Sequence, residues 1–428
     1  MKQIVMLFAI LSGVAQAQNL TGQWQGTLHA RDLRYVLKIS KTKAGGLSAV
    51  FFSIDRTPDG FPVGTFALNG SKLTFSVNQV NGRYEGTLSA DGKSLSGTWT
   101  QGSVSPMNFQ FAAGKAAWPT DVSPHKVLFA DVEKNIKLEV LDWGGDGASL
   151  IFLAGNGDTA HVFDRFAPKL AANHHVYAIT RRGFGASSSP PPTEENYAAD
   201  RLGDDVLSVI AALKLDKPVL VGHSIAGEEL SSIGSRHPEK VAGLIYLDAV
   251  SSYSWYDGLQ GSFEVDTNEL RKKLDQIKPV TAGTAQQEIK PLVEELLHAT
   301  LPQYVRDLQF MEDVFQAFPI TPATGPPTPI TLQARISNAI TRGERKYTNI
   351  NSPVLAIFAI SPKPTSGDAA VVKAWTNSVA LVTARANLFE AGVPSAHVVR
   401  LQDADHYVFR SNEADVLREM NAFMAGLR

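Results

Sequence analysis

One serine near the middle of the chain stands in a setting that favours nucleophilic chemistry. The apolar run Val219-Leu220-Val221 leads into Gly222-His223-Ser224-Ile225-Ala226-Gly227, and a helix-like stretch begins at Glu228. A serine between a buried strand and a helix, with small neighbours, is typical of the G-x-S-x-G nucleophile elbow, whose sharp turn strains the serine backbone. Ala226 departs from this pattern because it occupies the position of the final glycine. The sequence predicts that Ser224 is a nucleophile.

A serine hydroxyl needs a base, and the base needs an acid that orients it. His406 is the candidate base, since it follows the last predicted strand and precedes the final helix. Two candidate acids are present. Asp248 ends the apolar run Leu244–Leu247, whereas Asp368 lies beyond the next strand and also fits the N-cap of a helix. Both keep the order serine, acid, histidine. A strand-end carboxylate is better fixed for orienting an imidazole, which favours Asp248.

Acyl transfer also requires backbone N–H groups that stabilise the developing oxyanion. One donor is expected from Ile225, directly after the nucleophile. The second is expected from the turn Ala154-Gly155-Asn156-Gly157, after the second strand of the same sheet, with Asn156 the favoured donor.

Composition limits the alternatives. The chain has 428 residues, enough for two domains, and a formal net charge of −2. Lysine and arginine are not clustered, so a nucleic-acid partner is not expected. The absence of cysteine excludes disulfides, thiolate metal sites and a cysteine nucleophile. Since no histidines have H-E-x-x-H spacing, neither a metalloprotease nor a metal site is predicted.

The first 17 residues have the three parts of a secretory signal peptide. Lys2 supplies the positive charge, Ile4 to Val14 is apolar, and Ala15-Gln16-Ala17 matches the small-x-small cleavage pattern. The apolar part is shorter than the roughly 20 residues that a transmembrane helix needs. We therefore expect export to the periplasm or the exterior, with cleavage after Ala17 and no membrane span.

Residues 18–113 are predicted to form an antiparallel β-barrel or β-sandwich. About eight short strands alternate with hairpin dipeptides such as Asn69-Gly70 and Asp91-Gly92, and Leu73, Phe75 and Val77 point to one face. No catalytic constellation is evident in this segment, which is expected to be an accessory module. A barrel that holds a ligand is a further possibility.

Residues 114–125 resemble a linker, and residues 126–428 alternate between strands and helices, which predicts an α/β domain with a mostly parallel sheet. A segment without strand pattern, about 250–350, is expected to form a helical cap over a pocket. Tyr253 and Trp255 begin this cap. They are weak candidates for lining a substrate pocket, since such aromatic residues can equally anchor a lid.

Taken together, these stretches resemble the α/β-hydrolase superfamily in its capped, esterase-like branch. The resemblance is carried by Leu153–Gly157, Thr180–Ser187, the Ser224 elbow, Tyr246–Ala249 and Asp405-His406. It implies hydrolysis of an ester, thioester or amide without a cofactor. The chain departs from the family at the strand around residues 354–360, which is not directly followed by the usual carboxylate.

The favoured hypothesis is an exported serine hydrolase that cleaves a small-molecule carboxylic ester. An amidase, an aminopeptidase or a lyase could use the same triad, and a non-catalytic binding protein of hydrolase fold is a third class. Dehalogenases and epoxide hydrolases of this fold use a carboxylate nucleophile, whereas this elbow carries Ser224. The sequence leaves the substrate and the oligomeric state open.

Overall fold

The computed structural model describes residues 20–28, 33–43, 45–56, 60–101, 103–118, 122–258, 261–277, 285–317, 330–365 and 367–427. The predicted signal peptide, residues 1–17, lies outside these ranges. Contacts within the chain group most of residues 20–118 into one unit, and residues 122–427 together with 33 and 52–56 into a second. Each unit contains one β-sheet.

The first unit is built from nine strands, one more than the sequence suggested. They are β1 (Gly22–Leu28), β2 (Leu33–Lys41), β3 (Leu47–Ser53), β4 (Gly60–Pro62), β5 (Phe66–Asn69), β6 (Lys72–Val77), β7 (Gly82–Leu88), β8 (Ser94–Gln101) and β9 (Ser103–Ala112). The hairpins turn where predicted, with φ of +63° at Gly70 and +69° at Gly92. Leu73, Phe75 and Val77 are all buried, which confirms the predicted alternation along β6.

This sheet curls until its ends meet. Its order is β4-β3-β2-β1-β9-β8-β7-β6-β5, so β4 and β5 lie at opposite ends although only residues 63–65 separate them. The Val63 amide donates to the carbonyl of Ala49 on β3, and the Gly64 amide donates to the carbonyl of Ser76 on β6. Curling protects the edge strands from pairing with other chains. The described strands form one curled sheet, a half-barrel, and not the two packed sheets of a sandwich.

Aromatic rings fill the inner side of this curled sheet. The rings of Phe51 and Trp99 stack with centroids 4.9 Å apart, and Phe75 stacks on Tyr84 at 5.0 Å. Phe109 meets Tyr84 edge-on at 5.2 Å. All five side chains are essentially buried. Aromatic pairs of this kind add about 0.5–1.5 kcal/mol each beyond the burial of their surface, so they contribute strongly to a small core.

The second unit contains an eight-stranded sheet. Its strands are β10 (Lys126–Glu133), β11 (Ile136–Gly144), β12 (Ser149–Leu153), β13 (His175–Ile179), β14 (Val219–His223), β15 (Gly243–Leu247), β16 (Val354–Ile360) and β17 (Ala396–Gln402). The order is β10-β11-β13-β12-β14-β15-β16-β17. β10, β11 and β13 pair antiparallel, and the pairs from β13 to β17 are parallel. The predicted α/β class is confirmed.

Ten helices accompany the two sheets in the described part of the chain. They are α1 (Glu194–Tyr197), α2 (Ala199–Ala212), α3 (Gly227–Arg236), α4 (Phe263–Gln276), α5 (Ala285–Glu295), α6 (Leu301–Ala317), α7 (Leu332–Arg342), α8 (Ala369–Gly392), α9 (Val408–Ser411) and α10 (Glu413–Ala425). Among the described helices, none combines the length and the apolar character that crossing a membrane requires.

Both faces of the parallel sheet are buried. Along β12, Ile151 and Leu153 belong to one core cluster, whereas Leu150 and Phe152 belong to the other. Successive side chains of a strand point to opposite faces, so each face of this strand packs against its own layer of helices. The rigid sheet that results fixes the positions of the loops at the carboxyl ends of its strands.

Helices α4 to α7 follow β15 and precede β16, in the segment that was predicted to form a cap. On α7, Ile336, Ala339 and Ile340 are buried at the i, i+3 and i+4 spacing of a helix face. They share a core cluster with Ile225, the residue after Ser224. This contact brings the cap segment to the neighbourhood of the predicted nucleophile.

Candidate active site

Ser224 stands on a strained turn between β14 and α3. All five residues of β14 are buried, and Ser224 has φ of +55°, a value that non-glycine residues rarely adopt. A short 3₁₀ turn, Ser224–Ala226, then leads into α3. A Cβ at Gly227 would lie 1.9 Å from the carbonyl oxygen of Ala249. The close approach that requires glycine therefore falls at Gly227, which explains why Ala226 is tolerated in the elbow.

Strand register sets Asp248 beside Ser224. His223 on β14 pairs with Leu247 on β15, so Ser224 and Asp248 are the next residues on two adjacent parallel strands. Asp248 has φ of +46°. Its amide donates to the carbonyl of Ile357, and its Oδ1 accepts a 3.0 Å hydrogen bond from the amide of Ala359 on β16. These bonds fix the direction of the carboxylate.

His406 lies in the loop after β17 and contacts Asp248. Its Nδ1 lies 2.7 Å from Asp248 Oδ2, which leaves Nε2 as the nitrogen able to take a proton from Ser224. Among the hydrogen bonds between described residues, none joins Ser224 Oγ to this imidazole. Catalytic hydrogen bonds of this kind commonly tighten only when substrate binds.

The second candidate acid occupies a different position. Asp368 precedes α8, and its Oδ1 accepts a 2.8 Å hydrogen bond from the amide of Ala370, as expected of an N-cap. Of the two carboxylates, the structure therefore brings Asp248 to the imidazole of His406.

His223 supports the loop that carries His406. It is buried, and its Nε2 donates a 2.9 Å hydrogen bond to the carbonyl of His406. Burial is the main cause that lowers the pKa of His223 to about 4, and the nearby His406 adds to the effect. His223 is therefore neutral at physiological pH and adds no positive charge next to Ser224.

The predicted oxyanion donors lie in two loops around Ser224. Ile225 is at the start of the helical segment, where backbone N–H groups lack partners within the helix. The second loop is the one after β12. A Cβ atom added at Gly155 would lie 3.2 Å from Ser224 Cβ, so this loop passes close to the serine. Asn156 comes next in this loop, and its Oδ1 accepts a 2.9 Å hydrogen bond from Ser337 of α7.

Arg181 positions the loop after β12 relative to α3, a role that was not predicted from the sequence. Its guanidinium donates to both carboxylate oxygens of Glu229 on α3, at 2.7 and 2.8 Å. It also donates to the carbonyls of Ala154 (2.9 Å) and Gly155 (3.4 Å). One buried side chain thus ties the predicted oxyanion loop to the elbow helix. The signal in the sequence was an arginine two residues after a buried strand, because a buried arginine requires an acidic partner.

Glu228, next to Glu229 on α3, is fully buried, and neither of its carboxyl oxygens has a partner among the described residues. Burial, followed by the charge of Glu229, raises its pKa well above the ordinary value. Burial also raises the pKa of Glu344 to about 8. Glu344 is therefore mostly uncharged at neutral pH, and burial disfavours the charged form of Glu228, which reduces the negative charge that would oppose an oxyanion near Ser224.

Tyr253 and Trp255 occupy different surroundings. Tyr253 packs against the apolar cluster that contains Ile225. Trp255 lines a cavity of about 290 Å³ together with Arg385 and side chains of α4 and α6, among them Phe263 and Phe310. The described lining begins at Val250, two residues after Asp248, and does not include the Ser224, Asp248 or His406 side chains. The role of both aromatic residues in substrate binding stays a prediction.

The comparison with known proteins agrees with this architecture. The model of the alpha/beta hydrolase family matches residues 150–419, and the chain belongs to this family. The chain is 31% identical to fluoroacetate dehalogenase from Burkholderia sp. over 116 residues, which are 27% of this chain and 38% of that enzyme. It is 25% identical to 2-(acetamidomethylene)succinate hydrolase from Mesorhizobium japonicum over 287 residues, 65% of this chain and 89% of the relative.

An esterase is also among the relatives. The pimeloyl-[acyl-carrier protein] methyl ester esterase of Aeromonas hydrophila is 32% identical over 101 residues, 24% of this chain and 37% of the enzyme. The chain spans less than half the length of the dehalogenase, this esterase and other curated relatives that it matches. The names of these relatives state different reactions, among them hydrolysis, dehalogenation and haloperoxidation, so they support the family and not one particular reaction.

Proposed function

We propose that the protein is a serine hydrolase that cleaves a carboxylic ester through a Ser224-His406-Asp248 triad. The observation that carries the proposal is the 2.7 Å contact between His406 Nδ1 and Asp248 Oδ2, at the sheet edge where Ser224 holds a positive φ. A histidine oriented by a carboxylate beside a strained strand-end serine is the arrangement that acyl transfer requires.

In this mechanism, Ser224 Oγ attacks the ester carbonyl carbon while His406 Nε2 takes the hydroxyl proton. Asp248 stabilises the imidazolium that forms, and the amides of Ile225 and Asn156 donate to the carbonyl oxygen as it becomes negative. The imidazolium then gives its proton to the departing alcohol. A water molecule, deprotonated by His406, hydrolyses the acyl-enzyme and restores the free serine.

Ester cleavage is favoured over the other reactions of the family by the identity of the nucleophile. Epoxide opening and dehalogenation in this fold use a carboxylate at the elbow, and this chain has Ser224 there. The esterase among the relatives adds support, while amide hydrolysis and lyase chemistry on the same triad are alternatives that matched substrates separate.

The proposal is tested with a chain-length series of p-nitrophenyl esters and the corresponding anilides. Ser224→Ala is expected to lower kcat by a factor of about 10⁴ or more, and Asp248→Asn by about 10³–10⁴. Asp368→Asn is the matched control, since it removes the same charge from a carboxylate that caps a helix, and it should retain most of the activity. Near wild-type turnover by Ser224→Ala would refute the assignment.

A fluorophosphonate probe provides a test that does not depend on finding the substrate. It should label the wild-type protein at Ser224 and leave Ser224→Ala unlabelled. A folded wild-type protein that fails to react would instead indicate a non-catalytic binding protein.

We also propose that the mature protein works outside the cytoplasm. The proposal is supported by the charged start, apolar stretch and Ala15-Gln16-Ala17 pattern of the first residues. The absence of cysteine is compatible with an oxidising compartment, since no thiol is present there to be oxidised.

A further inference from the structure

Two histidines and an aspartate converge away from the triad, within the second unit. His125 immediately precedes β10, His161 lies in the 3₁₀ turn Ala160–Phe163, and Asp164 ends that turn. The side chains of His125 and Asp164 are each 1% exposed, and that of His161 is 5% exposed. The three residues come from two separate segments and meet inside the protein, so their clustering is not the chance proximity of surface groups.

The spacing of their donor atoms suits one metal ion. His125 Nδ1 lies 3.3 Å from Asp164 Oδ1, and His161 Nδ1 lies 3.3 Å from Asp164 Oδ2. One ligand atom from each residue can be chosen so that all three lie within 4.8 Å of one another. Two ligands held at 2.0–2.1 Å from a tetrahedral zinc ion are about 3.4 Å apart. The observed separations are close to that distance.

The surroundings resemble the outer shell of a metal site. Nε2 of His161, the nitrogen on the far side of the ring from Asp164, lies 3.8 Å from Glu139 Oε1, within ion-pair distance but longer than a hydrogen bond. Ser123 Oγ donates to Asp164 Oδ1 at 3.0 Å and accepts from Trp143 Nε1 at 2.8 Å. Metal-binding histidines usually direct their second nitrogen to a carboxylate, and metal-binding carboxylates are themselves hydrogen-bonded.

We propose that His125, His161 and Asp164 bind a divalent transition-metal ion, with zinc the best match to the donors. Imidazole and carboxylate ligands suit zinc and its neighbours, and His125, His161 and Asp164 would supply three of the four positions of a tetrahedral ion, with a water molecule in the fourth. Because the three side chains are almost fully buried, the ion would be shielded from solvent.

The metal would stabilise the loop that carries the predicted oxyanion donor. His161 follows Asn156 by five residues in the segment after β12, whereas His125 precedes β10 at the edge of the sheet. A metal ion shared by these residues would fasten the two segments together. No spacing pattern in the sequence predicts this cluster, because the histidines are 36 positions apart on different elements.

The test is made on the purified full-length protein, first treated with chelator and then titrated with zinc chloride. After dialysis, the wild-type protein is expected to retain about one zinc ion per chain, measured by elemental mass spectrometry. Its Tm should be roughly 5 °C higher than that of the chelator-treated protein. Cobalt chloride should give the visible absorption of a four-coordinate Co²⁺ site.

Variants locate the site. His161→Gln and Asp164→Asn should lose stoichiometric zinc and the cobalt spectrum, whereas His175→Gln, at a histidine paired with Asp142 outside the cluster, should keep both. His125→Gln serves in place of any variant that does not fold. Wild type that holds no stoichiometric metal would overturn the proposal and reduce the cluster to a hydrogen-bonded network. Retention of the metal by a folded His161→Gln protein would overturn it as well. Metal content is measured directly, so the result does not depend on the esterase assignment.

Discussion

At the scale of single residues, the site depends on close backbone approach around Ser224. A Cβ at Gly155 would lie 3.0 Å from His223 Nδ1 and 3.2 Å from Ser224 Cβ, tighter than ordinary contact. A side chain at residue 155 would therefore require the loop after β12 or the side chains beneath it to shift by a few tenths of an ångström.

Gly155→Ala should move this loop and displace the Asn156 amide. We expect kcat for a p-nitrophenyl ester to fall about 10- to 100-fold, since small displacements of catalytic groups have effects of that size. The denaturation midpoint should change little. Gly258→Ala is the matched control, because no atom lies within 4 Å of its added methyl group. Full activity of Gly155→Ala would show that the loop does not contribute the donor.

His223 makes stability depend on pH. Its pKa is about 4 in the folded protein and 6.5 when unperturbed, so the unfolded chain binds the proton more readily. Stability is thus fully present above pH 6.5 and is lost as the pH falls towards 4. Between pH 7 and pH 5, His223 alone should lower the free energy of unfolding by about 2 kcal/mol.

This prediction is measured by urea unfolding at both pH values. His223→Gln keeps a donor for the His406 carbonyl but cannot titrate, so its stability should fall less than that of wild type. His397→Gln, at a side chain that is 65% exposed, is the control and should follow wild type. If the free energy of unfolding fell equally in wild type and His223→Gln between pH 7 and pH 5, the pH dependence would not come from His223.

At the scale of elements, the ion pair between Arg181 and Glu229 connects the end of β13 with α3. Glu229→Gln leaves the buried guanidinium without its countercharge, so the free energy of unfolding should drop by about 3–5 kcal/mol in a urea titration. Glu195→Gln, on an exposed side chain, should change it by less than about 0.5 kcal/mol.

An apolar pair should restore part of this loss. The double variant Arg181→Met/Glu229→Leu has no charge at either position. It should be more stable than Glu229→Gln, even though the carbonyls of Ala154 and Gly155 lose their donor. If Glu229→Gln were as stable as wild type, the pair would not be what holds these elements together.

Much of this architecture was predictable because the signals are local. The apolar runs that became β12 to β16 are buried on both faces and read as strands without knowledge of their partners. The glycines around Ser224 and the loop position of His406 are also local features. The structure shows Ser224 on the predicted turn with the backbone strain that such a turn implies.

What could not be predicted depends on pairing between distant segments. Register alone brings Asp248 level with Ser224, and a sequence does not display register. β10 is not evident from the sequence because it is an antiparallel edge strand with Phe129 and Val127 about half exposed. α4 begins at Phe263, where Ser262 caps it, and a π-helical turn, Leu296–Thr300, joins α5 to α6. Neither boundary has a strong local pattern in the sequence.

At the scale of the whole molecule, the prediction concerns where the mature chain begins. Expressed with its first 17 residues in a bacterium, the protein should be recovered from the periplasm or the medium, and its N-terminal residue should be Gln18 by mass spectrometry. Ala17→Arg removes the small residue at the cleavage site and should leave the leader attached. Cytoplasmic protein that still begins at Met1 would exclude export.

The order of strands in the curled sheet has a consequence for folding kinetics. The sheet consists of two meanders, β1 to β4 and β5 to β9, in which neighbouring strands are also consecutive in the chain. Each meander can therefore form from local hairpins. The seam between them pairs Gln23 with Ala112, and it must wait for a long loop to close. We expect this seam to form last, which leaves β1 and β9 as the edges most open to mispairing in a newly made chain.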